Sequence, residues 1–120
     1  MAEIHVFFPP EGAPIVRNDP EAVVPGDHIE WRFHSLRPDI KKVRIEFADE
    51  AARFFPTPGG TQNSMDKDLG KGRFVWGTAP DIAGVSARGD KYSILAFDSD
   101  GVLIENASVD PTIITEKPRP

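Results

Sequence analysis

The sequence predicts an all-β protein, an antiparallel Greek-key β-sandwich of about seven strands with one long central loop. Apolar residues alternate with polar residues in several short segments, and this period of two is typical of half-buried strands. Turn-forming residues separate the segments, because 12 prolines and 10 glycines are spread over the 120 positions. No segment has the apolar spacing of an amphipathic helix. Short strands joined by turns favour two packed sheets.

The first half of the chain contains three alternating segments. Residues 4–8 form the first predicted strand, which ends at two consecutive prolines because proline cannot donate a hydrogen bond to a sheet. The turn at residues 25–27 leads into a second strand at residues 28–34, and a third is predicted at residues 43–47. The second and third strands each have one apolar and one charged face, as in a sheet that is open to water on one side.

The second half begins with the segment that we predict to be the long loop. Residues 57–72 are polar and contain several glycines, which indicates irregular structure. Residues 74–76 are a short strand candidate, and residues 90–97 form a strong one. After a tight turn, residues 102–104 are expected to return as a partner strand, and residues 111–115 to form the last strand.

These elements predict a single domain over residues 1–120, because domains most often contain about 100–150 residues. Residues 116–120 are expected to be a frayed tail. The predicted core consists of inward-facing residues of the strands, namely Ile4, Val6, Ile29, Trp31, Phe33, Val43, Ile45, Phe47, Tyr92, Ile94, Ala96 and Ile113.

The composition argues against several functions. The chain has no cysteine, which excludes disulfides, thiolate zinc sites and cysteine nucleophiles. Its 14 basic and 19 acidic residues give a net charge of −5, which disfavours binding to nucleic acid or to an anionic membrane surface. There is no apolar run of about 18 residues, and the start of the chain is unlike a signal peptide. We therefore expect a cytoplasmic protein with no membrane span and no cofactor.

Three segments together resemble a known family. Residues 24–31 read Val-Pro-Gly-Asp-His-Ile-Glu-Trp, a turn followed by an alternating strand with a tryptophan. Residues 43–47 and 91–96 supply the next strand and a late strand in the expected order. This arrangement is similar to that of the cupredoxin-like family, and it implies a β-sandwich in which the tryptophan fills the space between two sheets.

The resemblance does not extend to the copper ligands of that family. A blue-copper site needs two histidines, a cysteine thiolate and usually a weak axial methionine. Ala96 occupies the place where the family has its cysteine, and Pro38 is followed by Asp39 where the family has its first histidine. The resemblance therefore implies a cupredoxin-like domain without copper, like those of small bacterial proteins.

The three histidines are the candidate metal ligands, together with Asp39. His28 and His34 lie on one face of a predicted strand and are six residues apart. Because a strand rises about 3.3 Å per residue, the distance between them is roughly 20 Å. They cannot share one ion, so a site would need one of them with His5 or with a carboxylate such as Asp39. The alternative is that all three histidines are solvated surface residues.

The candidate interaction residues are Arg53, Phe54, Phe55 and Arg73, which lie within or next to the predicted central loop. Adjacent side chains on an extended segment point in opposite directions, so one interpretation buries one phenylalanine and exposes the other beside Arg53. An exposed aromatic residue next to arginine is typical of interface hot spots. The alternative is that both phenylalanines close the end of the core.

The residues favour a binding function over catalysis. We expect a non-catalytic binding or interaction module whose partner, a protein for example, the sequence does not identify. The first alternative is a copper or zinc carrier that uses surface histidines. The second is a small hydrolase or carbohydrate-binding domain, which requires a concave site with convergent polar groups.

Overall fold

A computed structural model describes residues 2–118 of the chain and contains eleven β-strands and no helix in that range. The strands are β1 (Ala2–Phe8), β2 (Ile15–Val16), β3 (Glu21–Val23), β4 (His28–Ser35), β5 (Lys42–Phe47), β6 (Phe55–Thr57), β7 (Gly60–Gln62), β8 (Ser64–Asp68), β9 (Phe74–Thr78), β10 (Ala87–Phe97) and β11 (Thr112–Glu116). The all-β prediction is confirmed. Several strands have only two or three residues, too few to show a period, which is why about seven were predicted.

The strands form two main sheets and a small hairpin. A four-stranded sheet has the order β2-β1-β4-β9, a five-stranded sheet has the order β3-β11-β10-β5-β8, and β6 pairs with β7. The prediction of purely antiparallel sheets is wrong, because β1 runs parallel to β4 and β3 runs parallel to β11. Alternation in a sequence defines the two faces of a strand but not its direction. The arrangement is compatible with a β-sandwich.

A single apolar core lies between the sheets. All twelve predicted core residues are buried, with at most 2 % of any of them exposed. Trp31 of β4 spans the core, and its Nε1 donates a hydrogen bond to the Tyr92 hydroxyl on the opposite sheet at 3.3 Å. Burial raises the pKa of Tyr92, so that its hydroxyl stays protonated.

The predicted central loop is largely ordered into strands, and that prediction is wrong. Residues 60–62 form β7, and residues 64–68 form β8, which pairs antiparallel with β5. β8 lies at the edge of its sheet, and only Met65 and the nearby Leu69 pack against the core. An edge strand with so few buried residues has a polar sequence and resembles a loop.

Two predictions near the C-terminus also need correction. Residues 102–104 do not form a strand, because only Leu103 bridges to Phe97. The tail does not fray at residue 116, since Glu116 ends β11 and the Lys117 backbone N–H donates to the Ser86 carbonyl oxygen at 2.9 Å. Residues 119 and 120 of the predicted tail lie outside the described residues.

The side chain of Trp31 packs directly on the backbone of β9 at Gly77. A Cβ atom at position 77 would lie 2.9 Å from Trp31 Cζ3 and 2.9 Å from the Phe54 carbonyl oxygen. Real Cβ atoms do not approach other heavy atoms that closely, and neither a buried indole nor a backbone carbonyl is easily displaced. Position 77 therefore requires glycine.

We expect Gly77→Ala to reduce the free energy of unfolding by about 1–3 kcal/mol, the usual effect of overpacking a core. Urea denaturation followed by circular dichroism measures the change. The matched control is Gly89→Ala on β10, where an added Cβ has its nearest neighbour 4.0 Å away. That variant should be as stable as the wild type, and equal stability of the two variants would contradict the close contact.

Candidate functional site

The candidate site is the face of the four-stranded sheet that points away from the core. It consists of the side chains that alternate with the core residues of three strands, and we call it the outer face. Its members are Glu3, His5 and Phe7 of β1, His28, Glu30, Arg32 and His34 of β4, and Phe74, Trp76 and Thr78 of β9. Aromatic, imidazole and charged groups are thus concentrated on one rigid surface.

Two large aromatic side chains on the outer face are exposed to solvent. Phe74 is 46 % exposed and Trp76 is 56 % exposed. Val75, which lies between them, and Gly77, which follows Trp76, are buried. The alternation of β9 therefore directs both aromatic rings outward. The strand register places Trp76 opposite Glu30 and Phe74 opposite Arg32.

A network of ion pairs holds Arg32 in place beside these rings. Its Nη2 atom lies 2.9 Å from Glu3 Oε1 and 3.1 Å from Glu30 Oε2. The Arg32 guanidinium carbon lies 5.4 Å from the centre of the Phe74 ring, a cation–π contact. Glu30 is buried although it belongs to the outer face, so its charge is balanced chiefly by Arg32.

His5 and His34 form a hydrogen-bonded pair across β1 and β4. His5 Nδ1 lies 3.0 Å from His34 Nε2, the ring centres are 5.3 Å apart, and the ring planes differ by only 11°. These values place the rings edge to edge, so one nitrogen must carry the proton and the other must accept it. The Phe7 ring stacks on His34 at 4.7 Å and holds its plane.

The surroundings keep His34 neutral. Burial lowers the pKa of His34 below its ordinary value, and the proximity of His5, Arg73 and Arg32 lowers it further. At neutral pH the pair is therefore held by a hydrogen bond in which the His34 imidazole is uncharged.

The structure brings together only two of the four predicted metal ligands, His5 and His34. His28 lies exposed at the start of β4, at the opposite end from His34. Asp39 is bound by Arg37, whose Nε and Nη2 donate to its two oxygens at 3.1 Å and 2.8 Å. Arg37 lowers the pKa of Asp39 and keeps it ionised. Within residues 2–118, no three histidine or carboxylate side chains converge as metal ligands.

Of the two interpretations of Phe54 and Phe55, the one that exposes one of the rings is wrong. Both are fully buried, with Phe54 stacked on Phe47 at 4.1 Å and Phe55 packed against Trp31 at 5.4 Å. Strict alternation does not hold here, because β6 begins only at Phe55 and Phe54 precedes it in irregular backbone. The alternative, in which both close the core, describes their positions.

The two predicted arginines remain on the surface, and they lie in different places. Arg53 is exposed, and its Nε donates to the Glu50 carbonyl oxygen at 3.4 Å. Arg73 is exposed just before β9, and its carbonyl oxygen accepts a hydrogen bond from the Phe33 backbone N–H. Arg73 therefore borders the outer face.

The exposed aromatic residues Phe74 and Trp76 were missed as functional candidates. Their signal was present in the sequence, because residues 74–77 alternate large aromatic residues with Val75 and Gly77. A glycine at an inward position of a strand indicates a close backbone approach. That observation assigns the aromatic residues to the opposite face.

Comparison with models of known protein families and with curated proteins gives no match for this chain. Function must therefore be inferred from the geometry of the outer face. In the described part of the chain, no helix has the length and apolar character needed to cross a membrane.

The lowered pKa of His34 makes stability depend on pH. The pKa of His34 is lower in the folded protein than in the unfolded chain. As the pH falls, the His34 imidazole of the unfolded chain therefore binds its proton first. The free energy of unfolding should be largest above about pH 6.5 and should decrease as the pH falls below that value. His34→Gln removes this group, and we expect a weaker decrease in urea denaturation series measured at several pH values.

His28→Gln is the control for the loss of a histidine as such, because His28 lies outside the pair. An unchanged pH dependence of unfolding in His34→Gln would contradict the assigned protonation state.

Proposed function

We propose that the chain is a non-catalytic binding module that binds a protein partner through the outer face. The proposal includes a Greek-key, cupredoxin-like topology without a blue-copper site. The observation that carries the binding function is the pair of exposed aromatic residues, Phe74 and Trp76, next to the ion-paired Arg32.

Features of the fold support the cupredoxin-like part of this proposal. In the turn before β4, Gly26 has a φ of 86° and the Asp27 backbone N–H donates to the Val24 carbonyl oxygen at 3.1 Å. Trp31 then fills the space between the sheets, as the resemblance implies. Ala96 is buried and cannot bind a metal through its side chain, which supports a domain without the blue-copper ligand set.

The composition and rigidity of the outer face support a role in binding. Tryptophan and arginine are the residues that most often dominate the binding energy of protein interfaces. Trp76 and Phe74 project from a strand, and Arg32 is held by two carboxylates, so little side-chain freedom is lost when a partner binds.

The shape of the surface favours a protein over a small molecule. The described residues contain clefts of about 440 Å³ and about 420 Å³, and neither is lined by Phe74 or Trp76. Small ligands are usually held in concave sites, whereas protein interfaces form on broad surfaces. The aromatic residues therefore suit a protein partner better than the substrate of a hydrolase or a sugar.

The test compares Trp76→Ala with the wild type as bait for proteins in an extract of the source cells. Leu36→Ala is the matched control, because Leu36 is 76 % exposed but lies in the loop after β4. A specific partner should be retained by wild type and Leu36→Ala and lost by Trp76→Ala. With the purified partner, Trp76→Ala should weaken binding by about 2 kcal/mol or more, roughly 30-fold.

Circular dichroism and thermal unfolding of each variant establish that the fold is intact before capture. Retention of the same proteins by Trp76→Ala and wild type would count against the outer face as the binding surface.

A further inference from the structure

We propose that His5 and His34 form a binding site for one divalent transition-metal ion, with Cu(II) preferred. The site goes beyond the proposed binding function, because it uses imidazoles of β1 and β4 and not the aromatic residues of β9. It joins two residues that are 29 positions apart in the sequence.

The separation of the two nitrogens suits a shared ion. Two imidazole nitrogens at about 2.0–2.1 Å from one metal, at a right angle to each other, lie about 3 Å apart. His5 Nδ1 and His34 Nε2 are already 3.0 Å apart. One of the two nitrogens carries the proton of the hydrogen bond, so metal binding requires that proton to pass to solvent or to the other nitrogen of its ring. The rings lie nearly in one plane, edge to edge, and a small turn of each ring within that plane then directs both lone pairs at one ion.

A carboxylate lies on the far side of the pair. Glu3 Oε2 is 3.6 Å from His5 Nε2. This distance is too long for a hydrogen bond, but a small movement of Glu3 would allow Nε2 to donate to it, and Nδ1 would then be free to bind the ion. Carboxylates commonly orient metal-binding histidines in this way.

Charged side chains of both signs surround the pair. Of the charged groups around the pair, Arg32 is ion-paired with Glu3 and Glu30, and Arg73 lies at the border. The carboxylates of Glu3 and Glu30 offset part of the positive charge of the two arginines, so the ion is held mainly by its bonds to the two imidazoles.

The donor set selects the metal. Imidazole nitrogens suit copper, nickel and zinc, and Cu(II) forms the most stable complexes in the divalent series. The pair supplies two protein ligands, and the remaining positions are taken by water. His5 lines a cleft of about 420 Å³ together with Arg17 and Glu21, so solvent reaches the His5 side of the pair.

The test titrates the full 120-residue protein with CuCl₂ at neutral pH in a buffer that does not bind copper. We expect one Cu(II) per chain and hyperfine coupling to two imidazole nitrogens in the electron paramagnetic resonance spectrum. His34→Gln or His5→Gln should weaken Cu(II) binding at least about tenfold, and Glu3→Gln by about tenfold, the usual effect of removing a supporting carboxylate. His28→Gln should bind like the wild type.

A measurement on the wild type avoids any dependence on the folding of the variants. Bound Cu(II) should broaden the ring proton resonances of His5 and His34 and spare those of His28, which lies at the far end of β4. The proposal is overturned by an absence of Cu(II) uptake, by equal broadening of all three histidines, or by uptake that His34→Gln leaves unchanged. The last result would place the ion elsewhere, for example on the chain's terminal amine.

Discussion

The contact between the Trp31 indole and the Gly77 backbone is the constraint on which the outer face depends. It leaves no room for a side chain at position 77, and the next residue is fixed by the Thr78 backbone N–H, which donates to the Phe54 carbonyl oxygen at 2.7 Å. A shift of β9 by one residue would exchange its two faces, burying Trp76 and exposing Val75. The tight approach at Gly77 therefore determines which side chains of β9 reach solvent.

The same sheet carries a second feature that depends on strand direction. Because β1 runs parallel to β4, Phe7 lies opposite His34 and His5 lies opposite Arg32. This register brings His5 diagonally to His34 and brings Glu3 within reach of Arg32. The outer face thus contains an aromatic pair at one edge and an imidazole pair nearer its middle, on one rigid scaffold.

The sequence predicted the parts of the fold that depend on local pattern. Alternation on β1, β4, β5, β10 and β11 was enough to identify every predicted core residue, because burial on one face follows from a period of two. Strand pairing depends on contacts between distant segments, so the parallel pair β1 and β4 was not foreseen. For the same reason the pairing of His5 with His34 stayed one of several combinations that the sequence allowed. The edge strand β8 was predicted to be loop because none of its side chains is fully buried, so its sequence lacks the apolar alternation of an inner strand.

The most direct measurement is the solvent accessibility of each tryptophan, since Trp31 is fully buried and Trp76 is 56 % exposed. The chain has only these two tryptophans, so Trp76→Phe isolates the fluorescence of Trp31. We predict that Trp76→Phe emits at short wavelength and resists quenching by acrylamide, whereas the wild type contains a quenched, long-wavelength component. A long-wavelength, readily quenched emission in Trp76→Phe would contradict the packing of Trp31 on Gly77 and, with it, the assignment of the outer face.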